Sequence, residues 1–326
     1  MTEPLRWGVL GAAKFAREHM ARAIHAAQGA ELYALATTSH DKAAGFAAYA
    51  PGLKVHASYD DLLADDQVDA VYIPLPNSLH VEWTLKALEA GKHVLCEKPL
   101  AMSAAEFDPV IAKRDETGLL AAEAYMIVHH PQWQKARDLV ANGTIGKLRH
   151  VEGVFTYDNR ADTGNIRNKP DTGGGAIPDI GVYTFGSTRY VSGEEPVEIN
   201  ANVEFENGVD VYSHTSGRFE SFTFSLVNSM RMQNQQHMSF HGEKGRITLT
   251  APFNAGVFGE ARIEVETSAG EITSYRFPSV NQYVLQVENF GHTVRTGAAY
   301  PCPLEFSRGT QAMIDQVFEA GRASTG

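Results

Sequence analysis

The sequence predicts an α/β protein of two domains: an N-terminal doubly wound parallel sheet, then a C-terminal α+β domain built on an open, mainly antiparallel sheet. Three observations predict this. The chain has 326 residues, more than one hydrophobic core usually organises. Its first part alternates short apolar runs with helical patterns, the rhythm of right-handed crossovers feeding a parallel sheet covered on both faces. After about Glu123 the rhythm changes to one helix and a series of long segments rich in β-branched and aromatic residues.

Taken in order, the first part predicts a strand at Trp7-Gly8-Val9-Leu10, a helix from about Phe15 to Ala27, a strand from Glu31 to Thr37 and a helix near Lys42 to Tyr49. The apolar run Val68 to Pro74, a helix from about Leu79 to Ala90 and the strand His93 to Cys96 follow. The second part predicts a helix from Pro131 to Asn142 and strands at Leu148–Tyr157, Val197–Glu206, Asp210–Arg218, Ser221–Val227, His237–His241 and Arg246–Thr250. Apolar and polar residues alternate through Ser221-Phe222-Thr223-Phe224-Ser225-Leu226, so one sheet face is covered and the other meets water or a partner. A broad sheet with such a face suits a subunit interface, which predicts a homo-oligomer, a dimer or tetramer, through the C-terminal sheet. The boundaries are set at 1–123 and 124–302, with the final helix in 303–326 a candidate to pack back on the first domain.

Composition excludes several classes. A formal charge of −11, with no Lys/Arg run, argues against a nucleic-acid partner, which needs a basic surface to displace counterions. No apolar stretch reaches the roughly 18 to 20 residues that span a bilayer, and the start lacks a secretory pattern. A soluble, cytoplasmic protein is expected. Cys96 and Cys302 have no metal-ligand spacing. The adjacent His129 and His130 point in different directions and lack an acidic or thiol partner at ligand spacing, so no metal is expected.

Gly11-Ala12-Ala13-Lys14-Phe15-Ala16 follows the first strand and opens a helix. Against G-x-G-x-x-G/A it supplies Gly11 for the turn, Ala13 in the second glycine's place and Ala16 for close helix packing. Such a helix start points N–H groups at a pyrophosphate. On this segment alone, dinucleotide binding and a bare structural turn stand about even; its place in a strand-helix-strand unit favours binding. In NAD-binding domains an acid roughly 20 residues beyond the glycines holds the ribose 2′-hydroxyl. Here Thr37-Thr38-Ser39 carries hydroxyls and no acid, with Lys42 within reach. That favours NADP and, without the usual arginine, leaves NAD open.

Ligands in open parallel sheets sit at the carboxyl edge of the strands. Two further strand ends, Pro74-Leu75-Pro76-Asn77-Ser78-Leu79-His80 and Cys96-Glu97-Lys98-Pro99-Leu100, are therefore placed beside the nicotinamide: Leu75, Pro76, Asn77, His80, Glu97 and Lys98. The Lys98–Pro99 bond is a candidate cis peptide. In the second domain, Gly173-Gly174-Gly175 leads to Pro178 at a first helical position, and Asp179 and Tyr183 share one helix face. Oxidising an alcohol needs a base for its proton while hydride leaves. Tyrosine titrates near 10, and a neighbouring ammonium lowers that value. Lys98 could supply that charge. A helix-stabilising Asp and a core Tyr remain the plainer alternative.

Together these segments resemble the glucose-fructose oxidoreductase and inositol dehydrogenase family, Gfo/Idh/MocA, in particular its dihydrodiol dehydrogenase and NADP-dependent xylose dehydrogenase branch. The resemblance runs through Gly8 to Ala16, Pro76-Asn77-Ser78-Leu79-His80, Glu97-Lys98-Pro99, Glu123-Ala124-Tyr125-Met126, Asn165-Ile166-Arg167-Asn168, Gly173 to Tyr183 and Gln286-Val287-Glu288-Asn289-Phe290. It implies a Rossmann domain, a second domain whose open sheet dimerises, and a catalytic set of Lys98, Asp179 and Tyr183. Tyr125, Arg167 and His129 become candidate substrate contacts; for Arg167 a structural salt bridge is equally open. Ile127 and Val128 stand where sugar-oxidising relatives often carry Tyr and Arg, which implies a more apolar pocket. The expectation is an NADP-preferring hydride transfer on a sugar, polyol or vicinal diol. Reduction of a keto-sugar or other carbonyl is the alternative within enzymes, and a non-catalytic NADP-binding sensor the alternative outside them.

Overall fold

A computed structural model describes residues 3–323. The chain forms two compact units: residues up to His129 with Asn281–Ser307, and His130–Val280 with the chain from Arg308 onward. The second unit thus begins six residues beyond the boundary read from the sequence, and of the closing helix, Leu304–Ala323, only the first turn groups with the first unit.

The first unit carries six strands: β1 (Leu5–Leu10), β2 (Ala30–Ala36), β3 (Lys54–His56), β4 (Ala70–Ile73), β5 (His93–Cys96) and β6 (Ala121–Glu123). All pair in parallel, in the order β3-β2-β1-β4-β5-β6. This is the doubly wound sheet the alternation predicts, and its order reverses between β1 and β4, where such sheets open a ligand crevice. Its central strands are buried on both faces, which explains near-continuous apolar runs such as Ala70-Val71-Tyr72-Ile73. Trp7 and Phe290 are fully buried, with ring centroids 4.9 Å apart, so the helix Gln282–Thr296 is tied to β1 by an aromatic pair adding about 1 kcal/mol beyond its burial.

Several elements differ from the reading of the sequence. The helix expected from Phe15 to Ala27 is a wider π turn, Ala16–Met20, continuing as an α-helix over Ala21–Ala26. The short strands β3 and β6 and the helices Tyr59–Leu63, Phe107–Thr117 and Gln282–Thr296 add to the expected set.

The second unit carries an eight-stranded sheet: β7 (Leu148–Asp158), β8 (Pro196–Glu206), β9 (Val209–Phe219), β10 (Thr223–Ser229), β11 (Arg231–Gly242), β12 (Gly245–Leu249), β13 (Arg262–Thr267) and β14 (Ile272–Arg276). The order is β14-β13-β12-β11-β7-β10-β9-β8, antiparallel except where β7 and β10 run parallel. Helices Pro131–Ala141 and Val182–Ser192 pack against each other, and the second also packs on β7 and β10. Buried Trp133, Phe155 and Phe253 form a stack between helix and sheet, with ring centroids 4.8 Å apart for Phe155 and Phe253 and 6.1 Å for Trp133 and Phe253. β8 ends the sheet with Val197 and Phe205 about half exposed.

Candidate active site

In the first unit, the residues proposed for the cofactor sit at strand carboxyl ends or at the start of the helices that follow, as Lys14, Phe15, Lys42 and His80 do. Gly11 closes β1 with φ +101°, a left-handed conformation that an L side chain rarely adopts. A Cβ there would also meet Leu75 at 3.1 Å and the Tyr59 hydroxyl at 3.2 Å. Gly11 N–H donates to the Ala36 carbonyl (3.1 Å), fixing the turn to β2. Ala12 and Ala13 are half-buried, the Ala13 carbonyl receives the Arg17 N–H at 3.1 Å, Lys14 is exposed and Phe15 packs on His19 and Tyr283. The free N–H groups of this helix start are the ones a pyrophosphate would use.

A cleft of about 480 Å³ lies beyond Gly11, lined among others by Thr37, Thr38, Ser39, Lys42 and Tyr59. Ser39 caps the helix His40–Ala47 by accepting the Lys42 N–H at 3.3 Å, and Thr37 Oγ1 accepts the Ser39 N–H at 3.2 Å. Hydroxyls, an exposed lysine and a helix N-terminus thus gather at the end of β2 without a carboxylate at 37–39. Such groups are donors of the kind a phosphate takes. Asp60 also lines this cleft, on the side of Tyr59 and Trp83, whose rings meet edge to face at 4.9 Å. Tyr59, Trp83 and Asp60 lay outside the fingerprint because they come from segments without a motif.

Around Lys98 the backbone is tightly held. The Lys98–Pro99 bond is cis. The Lys98 N–H lies 3.3 Å from a Glu97 oxygen, the Leu100 N–H donates to Glu123 at 2.8 Å, and the Pro99 carbonyl meets His80 Nδ1 at 2.8 Å. The other ring nitrogen of His80 faces the Leu75 carbonyl, also at 2.8 Å. His80 has no exposed surface, so it joins the two strand-end loops through their carbonyls, while Pro76 and Asn77 are half-buried in the β4 loop. Burial lowers the His80 pKa. Burial also pushes the Glu97 and Glu123 carboxyls above their ordinary range, and Tyr72 donates to Glu97 at 2.5 Å. Lys98 opposes both shifts, so its ammonium lies within electrostatic reach of both carboxyl groups.

Tyr125 and His129 are almost fully buried. Tyr125 packs on Phe306, and His129 lies against Tyr300 with Nδ1 held by Asn289 at 2.9 Å. Ile127 and Val128 are likewise core residues. Among the described residues, no group of three or more His, Cys, Asp or Glu could hold a metal ion, and no helix is long and apolar enough to cross a membrane.

In the second unit, Asp179 lies in a π turn, Ile177–Gly181, that continues into the helix Val182–Ser192. Such wide turns recur at functional sites. Its Oδ2 receives two donors at 2.7 Å, the Tyr157 hydroxyl from β7 and Nε of Arg167. Burial and the Asp179 charge hold the Tyr157 hydroxyl well above its usual range, so it stays a donor. Arg167 is therefore ion-paired, and it also lies within electrostatic reach of Tyr183. Tyr183, 7% exposed, packs its ring on Phe155 and Phe253 at 5.8 and 5.7 Å. The structure thus joins Arg167, Asp179 and Tyr183 with a fourth residue, Tyr157, which no sequence motif marks.

Residues 5–125 match the oxidoreductase family with an NAD-binding Rossmann fold, Gfo/Idh/MocA, and residues 133–248 match the C-terminal domain of the same family. An uncharacterized oxidoreductase of Rhizobium meliloti is 37% identical over 324 residues, 96% of each chain. The D-xylose 1-dehydrogenase (NADP(+)) 2 of Haloferax volcanii is 32% identical over 328 residues, 99% of this chain and 98% of the relative. Among solved structures, KijD10, a 3-ketoreductase from Actinomadura kijaniata in complex with NADP and TDP-benzene, superposes with a TM-score of 0.89 at 31% identity over 98% of both chains. Two matched domains in this order, and relatives aligned from end to end, make the chain a member of the Gfo/Idh/MocA family of oxidoreductases.

Proposed function

We propose that this enzyme is an NADP-preferring oxidoreductase that moves a hydride between nicotinamide and a CH–OH or C=O carbon of a sugar, polyol or vicinal diol. The observation that carries the cofactor preference is the cleft at the end of β2, where Thr37, Thr38, the Ser39-capped helix and Lys42 offer donors and positive charge to a 2′-phosphate. The relatives named for NADP support it. Gly11, Ala12, Ala13, Lys14 and Phe15 form the turn and helix start for the pyrophosphate; Leu75, Pro76, Asn77, Glu97 and Lys98 furnish the strand-end loops, with His80 bracing them.

Bound nicotinamide supplies the hydride acceptor or donor. The chain supplies the proton chemistry. In this reading Tyr183 removes the hydroxyl proton during oxidation and returns it during reduction, as a phenol can when neighbouring cations favour its ionised form. Asp179, fixed by Tyr157 and Arg167, orients the reacting hydroxyl, and Lys98 contributes positive charge to the same reaction. The sheet of the second unit, with its exposed β8, serves as a homo-oligomer interface. The buried free thiols of Cys96 and Cys302 suit the reducing cytoplasm.

A keto-sugar reductase is the second reading, favoured by the likeness to a 3-ketoreductase over nearly the whole chain. The deciding experiment follows nicotinamide absorbance with D-xylose, myo-inositol, a cyclic vicinal diol and a keto-sugar, each with NADP(H) and NAD(H). Turnover of a sugar or diol with NADP supports the first reading, turnover of the keto-sugar alone supports the second, and turnover of none contradicts both.

A further inference from the structure

Asp210 belongs to no motif, yet it is a carboxylate with only 2% of its surface exposed, second in β9. Its side chain turns to backbone N–H groups: Ile177 donates to Oδ2 at 2.6 Å, and Ala176 and Asp210's own N–H add to the set. Ala176 and Ile177 lie at the start of the segment that carries Asp179 and leads to Tyr183. The same carboxylate shapes the glycine loop. Gly175 has φ +133°, and a methyl group on it would overlap Asp210 Oδ1, so this position is held to glycine by backbone conformation and by the carboxylate together. Across the sheet Asp210 is paired in register with Phe205 of β8. The titratable group facing it from the packed helical segment is Asp179, itself bonded to Tyr157 and Arg167.

We propose that Asp210 is a positioning residue: it pins the Gly173–Gly175 loop to the first turn of the following helix and so sets the placement of Asp179 and Tyr183 for proton transfer. The inference rests on the roles assigned above to those two residues. Its energetic signature favours function over fold. A buried carboxylate within electrostatic reach of a second one costs stability, and burial raises its pKa to about 7. A side chain retained only for packing would not need that charge, whereas a charged acceptor holds backbone donors more strongly than a neutral one.

The test compares Asp210→Asn and Asp210→Ser with wild type, using the fastest substrate of the panel and NADP. Fluorescence titration reports NADP affinity and circular dichroism reports the fold. The expected result is folded protein with NADP affinity within about twofold of wild type and kcat reduced about tenfold or more. The kcat–pH profile of both variants also loses a limb near neutrality that wild type shows, because the ionised Asp210 holds its backbone donors more strongly than a neutral side chain does. Wild-type kcat and an unchanged profile in either folded variant would overturn the proposal. Failure of both variants to fold would make the role structural alone and overturn it as well. Tyr183→Phe run alongside separates the two levels: if Tyr183→Phe is inactive while the Asp210 variants are normal, only this inference fails; if Tyr183→Phe is fully active, the proposed roles fail first.

Discussion

Thr38 and Lys42 line the cleft at the N-terminus of the helix His40–Ala47, where the proposed function puts the 2′-phosphate of the cofactor. An exposed lysine facing a phosphate contributes about 1 kcal/mol in such a setting. Lys42→Ala is therefore expected to raise KM for NADP roughly five- to tenfold and leave KM for NAD nearly unchanged, measured by initial rates with each cofactor. Thr38→Asp should go further and reverse the preference, because a carboxylate there repels a 2′-phosphate and accepts from a 2′-hydroxyl. Buried imidazoles add a pH signature. Burial lowers His129 to about 3 and His130 to about 4, against an ordinary value near 6.5, so both fold in the neutral form. Below about pH 6.5 the unfolded chain binds protons that the folded chain refuses, and stability falls by up to about 1.4 kcal/mol per pH unit for each ring. Asp210, raised to about 7, works in the opposite sense: the folded chain holds its proton longer, so its contribution declines as pH rises from about 4 to 7. Chemical denaturation from pH 4 to 7 should show stability rising with pH in wild type, and more steeply in Asp210→Asn. Equal slopes would contradict the Asp210 assignment.

Among the elements, legibility followed length and periodicity. The parallel sheet was readable because its buried strands are short apolar runs alternating with helical patterns, as at Ala70 to Ile73, and β7 through β12 were readable from β-branched and aromatic alternation. β3 and β6, three residues each, are too short to show a period. β13 did carry the signal, with Ile263 and Val265 alternating with Glu264 and Glu266, but lies past a glycine-rich stretch, Asn254 to Gly259, that reads as loop. The π turns over Ala16–Met20 and Ile177–Gly181 have no sequence period distinct from an α-helix, so the widened backbone around Asp179 could not be foreseen. The site divides the same way. Gly11, Lys98, Asp179 and Tyr183 stood in motifs, whereas Tyr157 and Asp210 come from strands where only the folded sheet brings them to the helix. His80 stood in a motif too, and its place is the clamp between the Leu75 and Pro99 carbonyls. His80→Ala removes the ring that faces both buried carbonyls, together with the one N–H that a neutral imidazole donates, an expected loss of about 1–3 kcal/mol by denaturant titration; a change within about 0.3 kcal/mol would contradict the clamp.

For the molecule as a whole, the half-exposed Val197 and Phe205 on the edge strand β8 bear on assembly. Light scattering should give at least twice the chain mass of 35.6 kDa, and Phe205→Glu should lower it toward that value; a monomeric wild type would contradict the interface. The enzymatic account itself requires that a lysine of the first unit and a tyrosine of the second serve one reaction. A double-mutant cycle on kcat with Lys98→Met and Tyr183→Phe tests this most directly, with cofactor affinity followed separately. The account predicts that Tyr183→Phe alone lowers kcat about 100-fold or more with NADP affinity kept, and that adding Lys98→Met costs much less than Lys98→Met does alone. Wild-type turnover in Tyr183→Phe, or losses that simply multiply, would contradict it.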